Sequence, residues 1–189
     1  MLLIALAIRL PSPGPAIYKP PRDGIDRRRY RGPGSLNGRR SADRGGRLFT
    51  LYKFRTMRMA NGDAPEVWVS KDAPRITRIG KVLRATRLDE LPQLFNVLKG
   101  DMNIVGPRPE QPEIFAELRG VFSHYPERQK VLPGITGLAQ VKLPYDQTLE
   151  DVERKVELDL EYIDGRSAAA DLMIMVRTMP VMVFRKGSM

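Results

Sequence analysis

Cysteine is absent from the 189 residues, and histidine occurs once, at position 124. No disulfide framework and no thiolate zinc site can form, and a multi-histidine metal centre is excluded with them. A divalent cation would have to be held by oxygens, which selects magnesium or manganese over zinc. Aromatic residues are sparse at 7 %, and negative charge is short: 22 Asp and Glu stand against 32 Lys and Arg, a net charge of +10. Long apolar runs are missing too. The N-terminal "MLLIALAIRL" ends at Pro11, whereas a membrane-spanning helix needs roughly twenty residues. It has neither the leading basic residues nor the small-residue cleavage site of a secretory signal. A buried core helix and the second half of a longer membrane-dipping segment are the two readings left.

What is present is enough for one domain with a real core, since 42 % of the residues are apolar. The positive charge is concentrated. Lys19 to Arg47 holds ten basic and three acidic residues, +7 of the total. Such a block suits phosphates on nucleic acid, lipid head groups or a phosphorylated substrate, or it is a solvated arginine-rich loop. A nucleic-acid surface would interleave aromatics for base stacking, and residues 22 to 47 offer Tyr30 and little else after it until the strand near Phe49. No nucleic-acid partner is therefore expected.

Along the chain, "RLPSPGPAIYKPP" (9 to 21) carries five prolines and predicts a turn followed by extended chain. Residues 22 to 46 lack apolar periodicity and read as a poorly ordered insertion. "RLFTLYKFRTM" (47 to 57) alternates and predicts a strand, and "VWV" (67 to 69), with Trp68 as a packing residue, a shorter one. Ile79, Val82 and Leu83 sit at helical spacing. A second stripe, Leu88, Leu91, Leu94, Phe95 and Leu98, runs to Gly100, with Pro92 at an early helical position. "NIVGPRPE" reads as a loop, residues 111 to 131 as one or two helices broken near Pro126, and "PGITGLAQV" as a turn with a short strand. Thr148 with Asp151 forms a capping box for a helix to about 163, with Leu149, Val152, Val156 and Ile163 on one face. "SAAADLMIMVRTMPVMVFRK" is apolar but interrupted by Asp171, Arg177 and Pro180, which predicts a helix in the core or along a membrane surface.

Asp89 and Glu90 are adjacent, and sequence neighbours on a helix do not face each other. The pair is either a solvated or helix-capping dyad in a first turn, where the helix dipole favours negative charge, or a reactive centre. Lys53 and Arg55 alternate with aromatics on the expected strand, and Arg108 lies between prolines. Carboxylates can hold a cation or attack phosphorus, and cationic side chains can hold phosphoryl oxygens. The same cations could instead serve as ion-pair partners of Asp101, Glu110 or the dyad.

"YKFRTM", "TRLDELPQLFNVLKGDMNIVGPRPE" and "PGITGLAQV", in that order, resemble the bacterial sugar transferase family, the monotopic phosphoglycosyl transferases that initiate exopolysaccharide and glycoconjugate synthesis, over about residues 10 to 185. The resemblance implies transfer of a sugar-1-phosphate from a nucleotide diphosphate sugar, usually a UDP-sugar, to polyprenyl phosphate. It implies Asp89 as the nucleophile that forms a covalent phosphosugar, and Glu90 as a catalytic residue and the ligand of Mg²⁺. Lys53, Arg55 and Arg108 become candidates for phosphate or nucleotide contacts, and Gln140 for the nucleotide pocket. His124 is expected at the surface or in packing. The resemblance also implies anionic lipids of the bacterial inner membrane as partners, at its cytoplasmic face. A homodimer stays open.

Three departures accompany the likeness. Only Leu2 to Leu10 matches the family's membrane-dipping helix, which predicts a truncated segment over 1 to 18 with its Pro-rich turn. Residues 19 to 46 form an Arg- and Gly-rich insertion before a catalytic domain over 47 to 189. "KLPYDQ" replaces an arginine-bearing stretch, which passes a phosphate role to Lys142 or leaves it vacant. The expected architecture is α/β of the α+β kind, mostly helical. A small sheet or hairpin at 47 to 57 should be ringed by helices at 76 to 99, 111 to 131, 148 to 164 and 167 to 185, some of them amphipathic on the membrane face. An inactive or truncated family member and a basic nucleic-acid-binding module are the alternatives.

Overall fold

Strands of two or three residues tie together helices that no long sheet could hold. A computed structural model describes residues 1–26, 46–59, 74–143 and 148–183. Helix α1 (Leu2–Arg9) leads into the Pro-rich stretch, which is extended enough to supply two strands, β1 (Ile17–Tyr18) and β2 (Pro21–Asp23). They pair antiparallel with β4 (Lys53–Phe54) and β3 (Leu48–Thr50) respectively. The strand expected at 47 to 57 is thus two short pieces, and its partners come from the proline-rich segment. Prolines are tolerated there because each strand has one paired side only. Residues 27 to 45, the bulk of the arginine-rich insertion, and Trp68 lie outside the described residues.

Helix α2 (Arg78–Ala85) starts at Thr77, whose hydroxyl accepts from the Gly80 amide, a standard way of satisfying a first-turn donor. The stripe expected from Leu88 to Leu98 divides into a 3-10 segment (Leu88–Gln93) and α3 (Leu94–Leu98). Pro92 lacks the N–H that a continuous α-helix would use, and 3-10 pairing absorbs the loss. Gly100 ends the run at φ +74, the left-handed cap its position predicts. β5 (Asn103–Val105) follows, then α4 (Pro112–Val121) and a 3-10 segment (Tyr125–Lys130), so the 111 to 131 stretch is two helices. β6 (Gly134–Thr136) runs parallel to β5 and is the short strand expected within "PGITGLAQV", whose remainder forms a short helix, α5 (Leu138–Lys142).

Helix α6 (Leu149–Asp164) carries the capping box in both directions between Thr148 and Asp151. Its buried stripe is Val152, Val156, Asp159 and Tyr162. Leu149, expected on that face, is exposed because it lies a turn ahead of the elements the stripe packs on, and the polar Asp159 takes a buried position instead. α7 (Ala168–Val183) buries Ile174 and leaves Leu172, Met173, Val176 and Met179 exposed. No described helix is long and apolar enough to cross a membrane.

Four small apolar clusters fill the interior. Ile114, Phe115, Leu118, Tyr125, Val152 and Val156 join α4 to α6. Val105, Leu138, Tyr162 and Ile174 join β5 to α5, α6 and α7. Ile8, Phe54 and Leu83 seat α1 against β4 and α2, and Phe49, Leu51 and Met102 close the far side of the strands.

Asn96 links two of these regions. It is fully buried, its Nδ2 donates to the Thr50 carbonyl at 2.7 Å, and its Oδ1 accepts from the Tyr52 amide at 3.0 Å. This amide staples α3 to the chain just before Lys53. Asn96→Leu keeps the volume but strands one donor and one acceptor, each worth about 1–3 kcal/mol when left unpaired. The expected result is a fall of about 2–4 kcal/mol in unfolding free energy, read as a lower urea midpoint at unchanged slope.

Candidate active site

The 3-10 segment is entered through Arg87, which sits in the left-handed region at φ 53. That conformation is costly for a non-glycine residue and persists where the surroundings fix it. Its effect is to turn the chain so that Asp89 and Glu90 both point inward. Asp89 is 2 % exposed and Glu90 7 %. The solvated-dyad reading of the sequence is thereby removed.

Two buried carboxylates need cations, and Lys53 and Arg108 bond them directly. β4, held by its pairing with β1 and by the Asn96 staple, brings Lys53 Nζ to 2.9 Å from Asp89 Oδ2 and 3.8 Å from Glu90 Oε1. The loop after β5 brings Arg108 Nη2 to 3.0 Å from the same Glu90 Oε1. Burial pushes the Glu90 carboxyl up, but Arg108, Lys53 and Arg87 together outweigh it and hold the group at about 2. Glu90 in turn raises Arg108 above its ordinary value. Of the readings of Lys53 and Arg108, the structure shows ion pairing with the dyad itself.

Arg55 does not join them. Its guanidinium donates to the backbone carbonyls of Ser12 and Pro13, beside Gly14, whose φ of +112 gives the turn its shape. The side chains on either side of Phe54 part company because Lys53 follows the β1 ladder toward the dyad while Arg55 clamps the proline turn. Gln140, on α5, lines a cleft with Arg87, Glu90, Thr136 and Thr178. Its Nε2 donates to the Ile135 carbonyl at 3.3 Å, and its Oε1 is buried without a partner among the described residues. His124 is exposed and bonds Glu127, in keeping with a surface role. Lys142 is taken up by Glu161 at 3.2 Å.

Behind Arg108 lies an ionic network that sequence reading did not anticipate. Arg128 donates from Nε to Asp159 Oδ2 at 2.7 Å, from Nη1 to the Tyr125 hydroxyl at 2.8 Å, and from Nη2 to the Arg108 carbonyl at 3.1 Å. Lys155 Nζ meets Glu110 Oε1 at 2.8 Å. The one available sequence signal was Asp159 falling on the apolar stripe of α6.

The site thus has two inward carboxylates, cations on two sides and an open cleft, an arrangement suited to anionic phosphorus. The model of the bacterial sugar transferase family matches residues 1–185. The chain belongs to the bacterial sugar transferase family. Among similar sugar transferases are UDP-glucose:undecaprenyl-phosphate glucose-1-phosphate transferases from Klebsiella pneumoniae, 39 % identical over 94 % of this chain, and from Caulobacter vibrioides, 38 % identical over 95 %. A UDP-N-acetylgalactosamine-undecaprenyl-phosphate N-acetylgalactosaminephosphotransferase from Aeromonas hydrophila is 38 % identical over 94 %. The chain spans 35 %, 61 % and 38 % of the length of those three proteins.

The buried acids of this chain also set its response to pH. Burial raises the Glu110 carboxyl, but Lys155 and Arg128 reverse this and hold it at about 2, like Glu90. Both acids ionise lower in the folded chain than in the unfolded one, so the stability they add is complete above pH about 4.5 and drains away toward pH 2. Asp23 behaves oppositely. Its two oxygens have no partner among the described residues, and burial, then Glu113, push it up to about 7. Between pH about 4 and 7 the unfolded chain ionises Asp23 while the folded chain does not, so stability falls across that range. Asp23→Asn is expected to unfold at higher urea than the parent at pH 8 and to lose that advantage at pH 4. An advantage that is the same at both pH values would refute the assignment.

Proposed function

We propose that the chain transfers a sugar-1-phosphate from a UDP-sugar to undecaprenyl phosphate through a covalent phosphosugar on Asp89. The reaction initiates exopolysaccharide or glycoconjugate synthesis at the cytoplasmic face of the bacterial inner membrane. The observation that carries it is the buried Asp89–Glu90 dyad bracketed by Lys53 and Arg108. The substrates named for the relatives support the substrate classes.

An Asp89 oxygen attacks the sugar-bearing phosphorus of the diphosphate. The bond from that phosphorus to the bridging oxygen breaks, and the nucleoside monophosphate leaves with the electron pair. Lys53 exchanges Asp89 for phosphoryl oxygens as substrate enters, which frees the nucleophile and offsets repulsion between anions. Arg108 holds Glu90 and adds charge beside the leaving oxygens. A phosphate oxygen of the acceptor dianion then attacks the same phosphorus, and the acyl phosphate bond returns its pair to Asp89. Separating the steps lets the soluble product leave before the lipid is attacked.

Among the described residues no cluster of three acidic or histidine side chains exists to cage a metal. Two adjacent carboxylates nevertheless fit Mg²⁺, which is commonly bound by one or two carboxylates together with substrate phosphates and water. Glu90, with Asp89 beside it, would hold the ion, which supplies charge neutralisation of the diphosphate. Membrane attachment is supported by the exposed leucines 2, 3, 6 and 10 of the N-terminal segment, and in the sequence by the basic block from Lys19 to Arg47, a composition suited to anionic lipid.

The test is incubation with a UDP-sugar panel in the absence of acceptor. Intact mass should rise by one sugar phosphate, the adduct should map to Asp89, and EDTA should abolish it until Mg²⁺ is restored. Nucleotide release without any adduct would overturn the covalent route.

A further inference from the structure

Beside the dyad is a cleft whose walls are mostly hydrocarbon. Leu91 and Leu94 come from the dyad segment and α3, Ile135 from β6, Val141 from α5, and Thr178 from α7. Its threonines do not offer free hydroxyls: Thr136 and Thr178 bond each other at 2.8 Å, and Thr178 also donates to the Ile174 carbonyl. Arg87 and Glu90 make the dyad end charged. Gln140 adds one amide, its Oε1 without a partner among the described residues, which is fewer hydrogen-bonding groups than a nucleotide's base and ribose need; a branched hydrocarbon chain with an anionic head matches these walls.

The surroundings continue the same character. Leu98 lies one turn beyond Leu94 on α3, and it and Phe95 are exposed. Next to Thr178, α7 exposes Leu172, Met173, Val176 and Met179, at spacings that keep them largely on one side of the helix. Apolar surface outside the cleft therefore connects with apolar walls inside it, ending at the carboxylates.

We infer that this cleft seats the first isoprene units of the lipid acceptor, so that Leu94, Ile135 and Val141 govern the second half-reaction and not the first. The inference rests on the proposed two-step function. With the polyprenyl chain laid between α3 and α7, its phosphate takes the place beside Lys53 and Arg108 that the nucleoside monophosphate has vacated, opposite the Asp89 oxygen on phosphorus, so donor and acceptor share the phosphate position and differ in where the base and the isoprene chain lie.

The experiment measures the two steps separately in detergent, where membrane docking plays no part. Adduct is first formed from UDP-sugar, free donor is removed, and undecaprenyl phosphate is added to follow adduct decay. Val141→Phe narrows the cleft, and Leu94→Arg places a charge at its mouth on a residue already 45 % exposed, where the fold tolerates it. Each should slow adduct decay about tenfold, the loss expected when one or two buried methylenes are displaced, and leave the rate of adduct formation within about twofold. Normal adduct formation certifies the fold. Unchanged decay in both variants overturns the acceptor assignment. Slower adduct formation with unchanged decay also overturns it and gives the cleft to the donor. If the parent chain forms no adduct at all, the proposed function fails, and this inference fails with it.

Discussion

Asp89→Asn should form no phosphosugar adduct and release nucleotide at least about 10⁴-fold more slowly than the parent, the scale set by removal of a covalent nucleophile elsewhere. The amide keeps the shape and an oxygen that Lys53 can bond, so the fold should survive. The expected change in unfolding midpoint is small because Glu90 remains 3.8 Å from Lys53 and 3.0 Å from Arg108. A different pattern is expected of Glu90→Gln. Its oxygen still accepts from Arg108, the nucleophile is intact, and adduct should still form slowly, with a higher Mg²⁺ requirement. The pair of variants separates attack from charge neutralisation. Adduct in Asp89→Asn, mapped to any other residue, would remove Asp89 from the chemistry.

Arg128→Met is expected to have the largest effect on stability. Arg128 and Asp159 are almost completely enclosed. Burial works against the charged guanidinium, but Tyr125, Asp159 and Glu110 outweigh it and hold Arg128 above its ordinary value. Removing the cation leaves Asp159 buried and unpaired, a loss of about 3–5 kcal/mol, a large part of what a domain of this size has. Arg128→Met with Asp159→Leu should recover most of the loss, since matched apolar groups commonly replace a buried pair at little cost. The same double variant still lacks the donor to the Arg108 carbonyl at 3.1 Å. It should therefore be stable and yet form adduct more slowly. Full catalytic recovery in the double variant would show that Arg128 does not position Arg108.

Local chemistry made much of this legible. Thr148 and Asp151 announced α6, Gly100 announced the end of α3, and Pro126 announced the break after α4, because caps and breakers act within a few residues. The dyad could be found, but its burial could not, since that depends on Lys53 and Arg108, 36 residues upstream of Asp89 and 18 downstream of Glu90. The division of labour between Lys53 and Arg55 was equally hidden. It is decided by which carbonyls of the proline turn lie within reach of Arg55. "NIVGPRPE" read as a loop because three residues of strand give too little periodicity, and only pairing with β6 makes them one. Asn96 and Asp159 occupy positions that an apolar pattern would fill with hydrocarbon, so their partners had to be seen.

The parallel ladder of β5 and β6 has a further implication for synthesis on the ribosome. Of the three cations around Glu90, Lys53 and Arg87 precede the carboxylates in the chain and can be in place as soon as they appear. The other is anchored only when Gly134–Thr136 has paired with Asn103–Val105 and Asp159 has engaged Arg128. Until then the acidic pair is under-compensated, and the reactive centre matures only after α6 has left the exit tunnel.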